Sequence, residues 1–193
     1  MKLLASELLS NEEFVLQRRR LEADVVAAKN VRRLAVGPNM TLLFENRATC
    51  LWQVQEMCRV EWITAPAAVQ HELDTYSALL PGPRELSATL MIEYDEPNER
   101  STMLRRLRGL HDAFFLEFPG LPDAPARFDG EQFNEERVSS VQFTRFALTS
   151  AQIGALRDLG LPAALVVRHP AYTVNVPLPR TLRAALVDDL LSA

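Results

Sequence analysis

The spacing of apolar and polar positions changes period repeatedly along the chain, and each change predicts the end of one element and the start of another. The clearest case runs from Thr41 to Ile63. Thr41-Leu42-Leu43-Phe44 is a short apolar run suited to a buried strand. Glu45-Asn46 breaks it, and Asn46 is a good N-cap for a helix from Arg47 to Ile63 that contains no Gly or Pro. Placed on a helical wheel, Cys50, Leu51, Val54, Met57, Cys58 and Trp62 share one wide face, while Trp52, Val60 and Ile63 are scattered over the other. A helix apolar nearly all round predicts a central, buried position. Glu61 falls among Val54, Met57 and Cys58 on that wheel, so it either reaches solvent at the helix end or meets an Arg.

The same reading places the other elements. Ser10-Asn11-Glu12-Glu13 is a capping box opening a helix to about Asn30, with Arg18 at the edge of its apolar stripe. Val31–Val36 predicts a strand, and Gly37-Pro38-Asn39 a turn. Thr64 predicts the cap of a helix with Pro66 in its first turn, its apolar face being Val69, Leu73, Tyr76 and Leu80. Pro81-Gly82-Pro83 ends that helix, and Glu85–Tyr94 is the longest strand candidate. A helix over Asn98–Leu110, a strand over Phe114–Phe118 and a loop over Gly120–Asp129 follow. Then come a strand at Val138–Leu148, a helix at Ser150–Asp158, strands at Ala164–Val167 and Tyr172–Val176 joined through His169-Pro170, and a helix at Pro179–Leu191. The order shows no βαβ repeat, which predicts an α+β fold: a mixed, largely antiparallel sheet packed against a buried central helix and several flanking helices. Residues 1–193 read as a single domain with lobes 1–119 and 120–193.

Composition narrows the function more than the fold. With 48% hydrophobic and 24% charged residues the chain can bury a full core. A net charge of −4 gives no electrostatic reason to bind nucleic acid. Of the 21 cationic side chains only Lys2 and Lys29 are lysines, so nearly all can fork onto carboxylates or phosphates. Glu7 interrupts the N-terminal apolar residues before they reach signal-sequence length, and no run approaches the ~20 residues of a membrane span. Cys50 and Cys58, about 12 Å apart along one helix, are too distant for a disulfide. The chain reads as cytoplasmic, without a membrane partner. It carries no Gly-rich phosphate loop, H-E-x-x-H, C-x-x-C or G-x-S-x-G, and His71, His111 and His169 lie on separate elements.

The strings FENRATCLWQVQEMCRVEW and HELDTYSALLPGPRELSATLMIE resemble a bacterial family catalogued as a domain of unknown function. The matching residues are Phe44-Glu45-Asn46-Arg47, Thr49, Gln53, Gln55-Glu56-Met57, Arg59 and Glu61, then Glu72-Leu73-Asp74, Tyr76, Leu79, Pro81, Leu86-Ser87-Ala88-Thr89-Leu90 and Ile92-Glu93. Ser140-Val141-Gln142-Phe143 and His169-Pro170-Ala171-Tyr172 extend the resemblance through the second half. Ser77 stands where the pattern has Asn, and Cys50 and Cys58 where it has other residues, which argues against thiol chemistry. The resemblance implies genomic neighbours similar to rubrerythrin and to iron–sulfur subunits of heterodisulfide reductase, hence a redox protein as partner.

Two readings of function stay open. In the first the protein is a non-catalytic accessory that docks onto a redox partner through an exposed patch, which predicts a large apolar surface. In the second it is a small-molecule-binding enzyme or sensor with a carboxylate and Arg pocket built from Gln53, Glu56, Arg59, Glu61, Glu72 and Tyr76. The second extends to a non-haem metal on Glu56, Glu61 and Glu72, which requires their oxygens to converge within ~2–2.5 Å of one point. The absence of a catalytic motif favours the first. Neither reading names a cofactor.

Overall fold

A computed structural model describes residues 2–129 and 137–192. The long first helix, α1 (Asn11–Arg32), starts at Ser10, whose hydroxyl accepts from the Glu13 amide while Glu13 reaches back. A short strand β1 (Arg33–Ala35) and β2 (Met40–Glu45) follow, then α2 (Arg47–Val60), capped by Asn46 through the Thr49 amide. Next come α3 (Pro66–Ser77), β3 (Glu85–Ile92), α4 (Pro97–Arg106), β4 (Phe114–Glu117), β5 (Ala124–Phe128) and β6 (Val141–Ala147). The chain finishes with α5 (Ser150–Arg157), β7 (Ala164–His169), β8 (Tyr172–Pro177) and α6 (Arg180–Ser192).

All eight strands join one sheet in the order β1-β2-β3-β6-β5-β4-β7-β8, and every pairing is antiparallel. The sheet curls until its two edges nearly meet. The Tyr172 hydroxyl on β8 donates to the Val36 carbonyl just past β1 at 2.6 Å and accepts from the Asn39 amide at 3.2 Å. Gly37 sits at that seam with φ of 74°, and a Cβ there would lie 2.6 Å from the Tyr172 oxygen. Glycine meets both demands, left-handed backbone and close approach.

The apolar face of the curled sheet looks inward. Leu42, Phe44, Leu86, Leu90, Phe114, Leu116, Phe146, Leu165 and Val167 are buried in one cluster, joined by Leu104 of α4 and by Leu182 and Leu186 of α6. A separate, smaller cluster holds Leu3, Cys50, Val54, Cys58, Leu73 and Leu80 between α2 and α3.

This arrangement corrects the expected architecture. No buried central helix packs against a mixed sheet; the core is the interior of a nearly closed antiparallel barrel. The apolar surround of α2 has another cause: it is wedged between α1, where Phe14 meets Trp52 edge-on at 5.3 Å, and α3. Its far end is open, with Val60 64% and Trp62 67% exposed. Two local expectations also fail. Ala65, not Thr64, is the N-cap residue of α3, without a side-chain cap. The stretch expected as a loop over Gly120–Asp129 contains β5, with Pro125 paired to Phe115.

Candidate functional site

The outer face of the sheet carries a polar row that register alone creates. Glu45 on β2 lies opposite Ser87 on β3, Ser87 opposite Arg145 on β6, and Arg145 opposite Arg127 on β5. Cross-strand partners project to the same side. The row therefore lines one face across four strands, with Thr89 beside it opposite Leu43 and Phe143.

The C-terminal end of α3 folds over this row and makes it a cavity. Arg145 donates to the Leu80 carbonyl at 2.8 Å and to the Ala78 carbonyl, and Ser87 donates to the Leu79 carbonyl. Three successive carbonyls are thus gripped by two strands. Glu85 steadies the lip, accepting from the Gly82 amide at 3.2 Å and from Arg145 at 3.3 Å. The half-open cavity has a volume of about 260 Å³ and is lined by Glu45, Ser87, Thr89, Arg127, Asp129 and Arg145 among others.

Glu45 forms the closed end. It is only 7% exposed. One carboxylate oxygen accepts from the Thr49 hydroxyl at 2.5 Å, the other from the Thr89 hydroxyl at 2.7 Å. Those are lengths of charge-assisted O–H···O bonds. Among the described residues Glu45 makes no ion pair. Behind it, burial first and the Glu45 charge second push the Cys50 thiol up to about 12, so Cys50 is no nucleophile. At the open end Arg127 is exposed, and its guanidinium has no hydrogen bond or ion pair among the described residues.

The residues expected to form a pocket are dispersed. Glu56 and Arg59 lie in the α1–α2 seam, where Glu56 accepts from Arg18 and from Arg59, each at 2.7 Å. Burial works to raise the Glu56 pKa, but hydrogen bonds from Arg59 and Arg18 outweigh it and hold the carboxyl below its ordinary range. Arg18 does turn inward, though to Glu56 and not to Glu61. Glu61 is the exposed C-cap residue of α2, reaching solvent where the helix ends and meeting no Arg among the described residues. Arg32 pairs with Asp189 of α6 at 2.8 Å. Glu72 and Tyr76 lie half-buried on α3; burial, and next the Glu72 charge, raise the Tyr76 pKa. Gln53 is half-buried on α2 and lines none of the cavity beside Glu45. Among the described residues no three His, Cys, Asp or Glu converge to hold a metal ion, so Glu56, Glu61 and Glu72 do not form the expected set.

Glu45, Ser87 and Thr89 were within reach of the sequence, since all three sit in the strings that carry the family resemblance. Arg127 lay in an expected loop and gave no such signal. His169, by contrast, serves its turn: Nδ1 accepts from the Ala171 amide at 3.1 Å, so Nε2 donates to the Arg108 carbonyl at 2.8 Å.

A family model described as "Protein of unknown function (DUF3501)" matches residues 2–190. No curated protein matches. A crystal structure of a protein of unknown function from Burkholderia pseudomallei K96243 is 34% identical, covering 98% of this chain and 100% of that one with a TM-score of 0.90. No helix among the described residues is long and apolar enough to cross a membrane.

Proposed function

The chain belongs to the DUF3501 family, and we propose that it binds a small polar molecule in the cavity between the end of α3 and the outer face of β2, β3, β6 and β5. One observation carries this reading: a buried carboxylate without a cation and a guanidinium without an anion line the same 260 Å³ space. Several surface charges of this protein find partners, as Arg47 does with Glu7 and Arg168 with Glu117 and Asp123. Polar groups left open toward a cavity are what fixes a ligand's orientation. The cavity shares none of Gln53, Glu56, Arg59, Glu61, Glu72 and Tyr76 with the pocket expected from the sequence. Amide NMR spectra recorded during titration with small polar compounds test it. The expected shifts cluster at Ser87, Thr89 and Thr144; shifts elsewhere only, or none at saturation, overturn it.

A second reading has its own support. Val60 and Trp62 stand exposed at the end of α2, and Trp62 holds a left-handed backbone (φ 57°) where glycine is usual. An exposed Trp is the side chain most often found at binding hot spots. It fits an accessory protein docking on a redox partner of the rubrerythrin-like or iron–sulfur class. Trp62→Ala should then abolish co-purification with such a partner and leave the melting temperature unchanged; retained co-purification counts against it.

A further inference from the structure

We infer that the ligand of the sheet cavity is a small zwitterion, a molecule carrying an ammonium group at one end and a carboxylate at the other. The inference rests on the cavity reading above and names its ligand class. The two ends of the row are unmatched in opposite senses. Glu45 has its two hydroxyl partners and no cation, yet a carboxylate offers about four acceptor sites, so lone pairs remain for an N–H donor. Arg127 has none of its five N–H donors engaged within the described residues. Between them Arg145 is already matched by Glu85 and by the carbonyls of Ala78 and Leu80.

Charge decides between ligand types. A plain anion held by Arg127 would leave Glu45 buried without a cation, and a plain cation at Glu45 would leave the donors of Arg127 unused. A zwitterion satisfies both ends, which is electrostatic complementarity in its simplest form. Asp129 also lines the cavity and is engaged in an interaction of its own. Size agrees. The ends lie three strand spacings apart, about 14 Å between Cα atoms before the side chains reach inward. The volume of about 260 Å³ is below that of drug-sized sites and suits an amino acid or dipeptide.

The test uses the full chain, calorimetric titration and amide NMR. The probes are glycine, aminobutyrate, aminocaproate and glycylglycine, each with its N-acetyl and carboxamide derivative, beside acetate and inorganic phosphate. At least one zwitterion should bind about tenfold or more tighter than both of its blocked derivatives. Arg127→Gln should erase the discrimination against the carboxamide, and Glu45→Gln the discrimination against the N-acetyl form. If Glu45→Gln fails to fold, the exposed Arg127→Gln decides alone. If acetate or phosphate binds as tightly as any zwitterion and blocking the amine costs nothing, the zwitterion is overturned while the cavity reading stands. If no probe moves the amides lining the cavity, both fall.

Discussion

Two guanidinium groups in this protein show opposite fates. Arg183, on α6, is 3% exposed and donates to four carbonyls, those of Ala155, Leu156, Asp158 and Leu161, at 2.6–3.0 Å. It closes the C-terminal end of α5, whose last carbonyls have no helical partners. Arg127 is exposed and donates to nothing within the described residues. The difference teaches what a site looks like here. Burial of a charged group is not the mark, because a buried cation with four of its five donors engaged is a piece of architecture. Unspent hydrogen-bonding capacity over a cavity is the better mark, and by that measure the Glu56 seam belongs with Arg183, and Glu45 with Arg127.

The largest expected effect separates the two arginines. Arg183→Met should lower unfolding free energy by ~3–5 kcal/mol, since it strands several buried carbonyls. Arg127→Met should stay within ~0.5 kcal/mol, as for a surface change. Denaturant melts of both variants check this, and comparable losses would break the comparison.

An intermediate effect is expected at Glu56, which bridges Arg18 and Arg59. Glu56→Gln should cost ~1–2 kcal/mol at neutral pH, the range of a charge-assisted pair. The folded pKa is depressed, so this contribution is fully present above the unfolded value of about 4.3 and is lost as pH falls through the lower folded value. The stability gap between wild type and variant should therefore be flat from neutral pH down to about 5 and shrink below about 4. A gap that widens on acidification would place Glu56 in the unmatched class.

The smallest effect concerns the thiols. Cys50 and Cys58 are buried and free, and burial raises both pKa values. Native protein at pH 8 should resist alkylation until unfolded. Cys50→Ala with Cys58→Ala should cost ~1–2 kcal/mol of packing and leave ligand affinity unchanged. Loss of that affinity with the fold intact would bring a thiol into the site.

Much of the local structure was legible because its causes are local. Ser10 and Asn46 cap the helices they precede in the sequence, and the strands over Val138–Leu148 and Glu85–Tyr94 appear within those bounds. What escaped was set by register. Pro122 and Pro125 advertise a loop, yet β5 tolerates Pro125 because its ladder to β6 begins one residue later, at Ala126. The polar row joins positions 45, 87, 145 and 127, and a slip of one residue in any pairing would turn its side chains to the opposite face. No window of sequence contains that information. The cavity was not singled out in the sequence: Glu45, Ser87 and Thr89 sit in the strings that carry the family resemblance, but the expected pocket lay on Gln53, Glu56, Arg59, Glu61, Glu72 and Tyr76, and Arg127 needed the sheet. Helix periodicity misled at α2, where a wheel cannot tell a helix buried in a core from one pressed between two other helices.

The seam at Tyr172 carries a kinetic consequence. The bond from Tyr172 to the Val36 carbonyl joins residues 136 apart, and it links two sheet edges by a side chain instead of a ladder. Closing so long a loop yields two hydrogen bonds, to the Val36 carbonyl and from the Asn39 amide, at a full entropic cost, so the contact is expected to form after the hairpins on either side of it. Contacts that form late are absent from the folding transition state, and weakening them speeds unfolding while leaving refolding almost untouched. Tyr172→Phe should therefore speed unfolding and leave refolding almost untouched, a difference that stopped-flow rates would check.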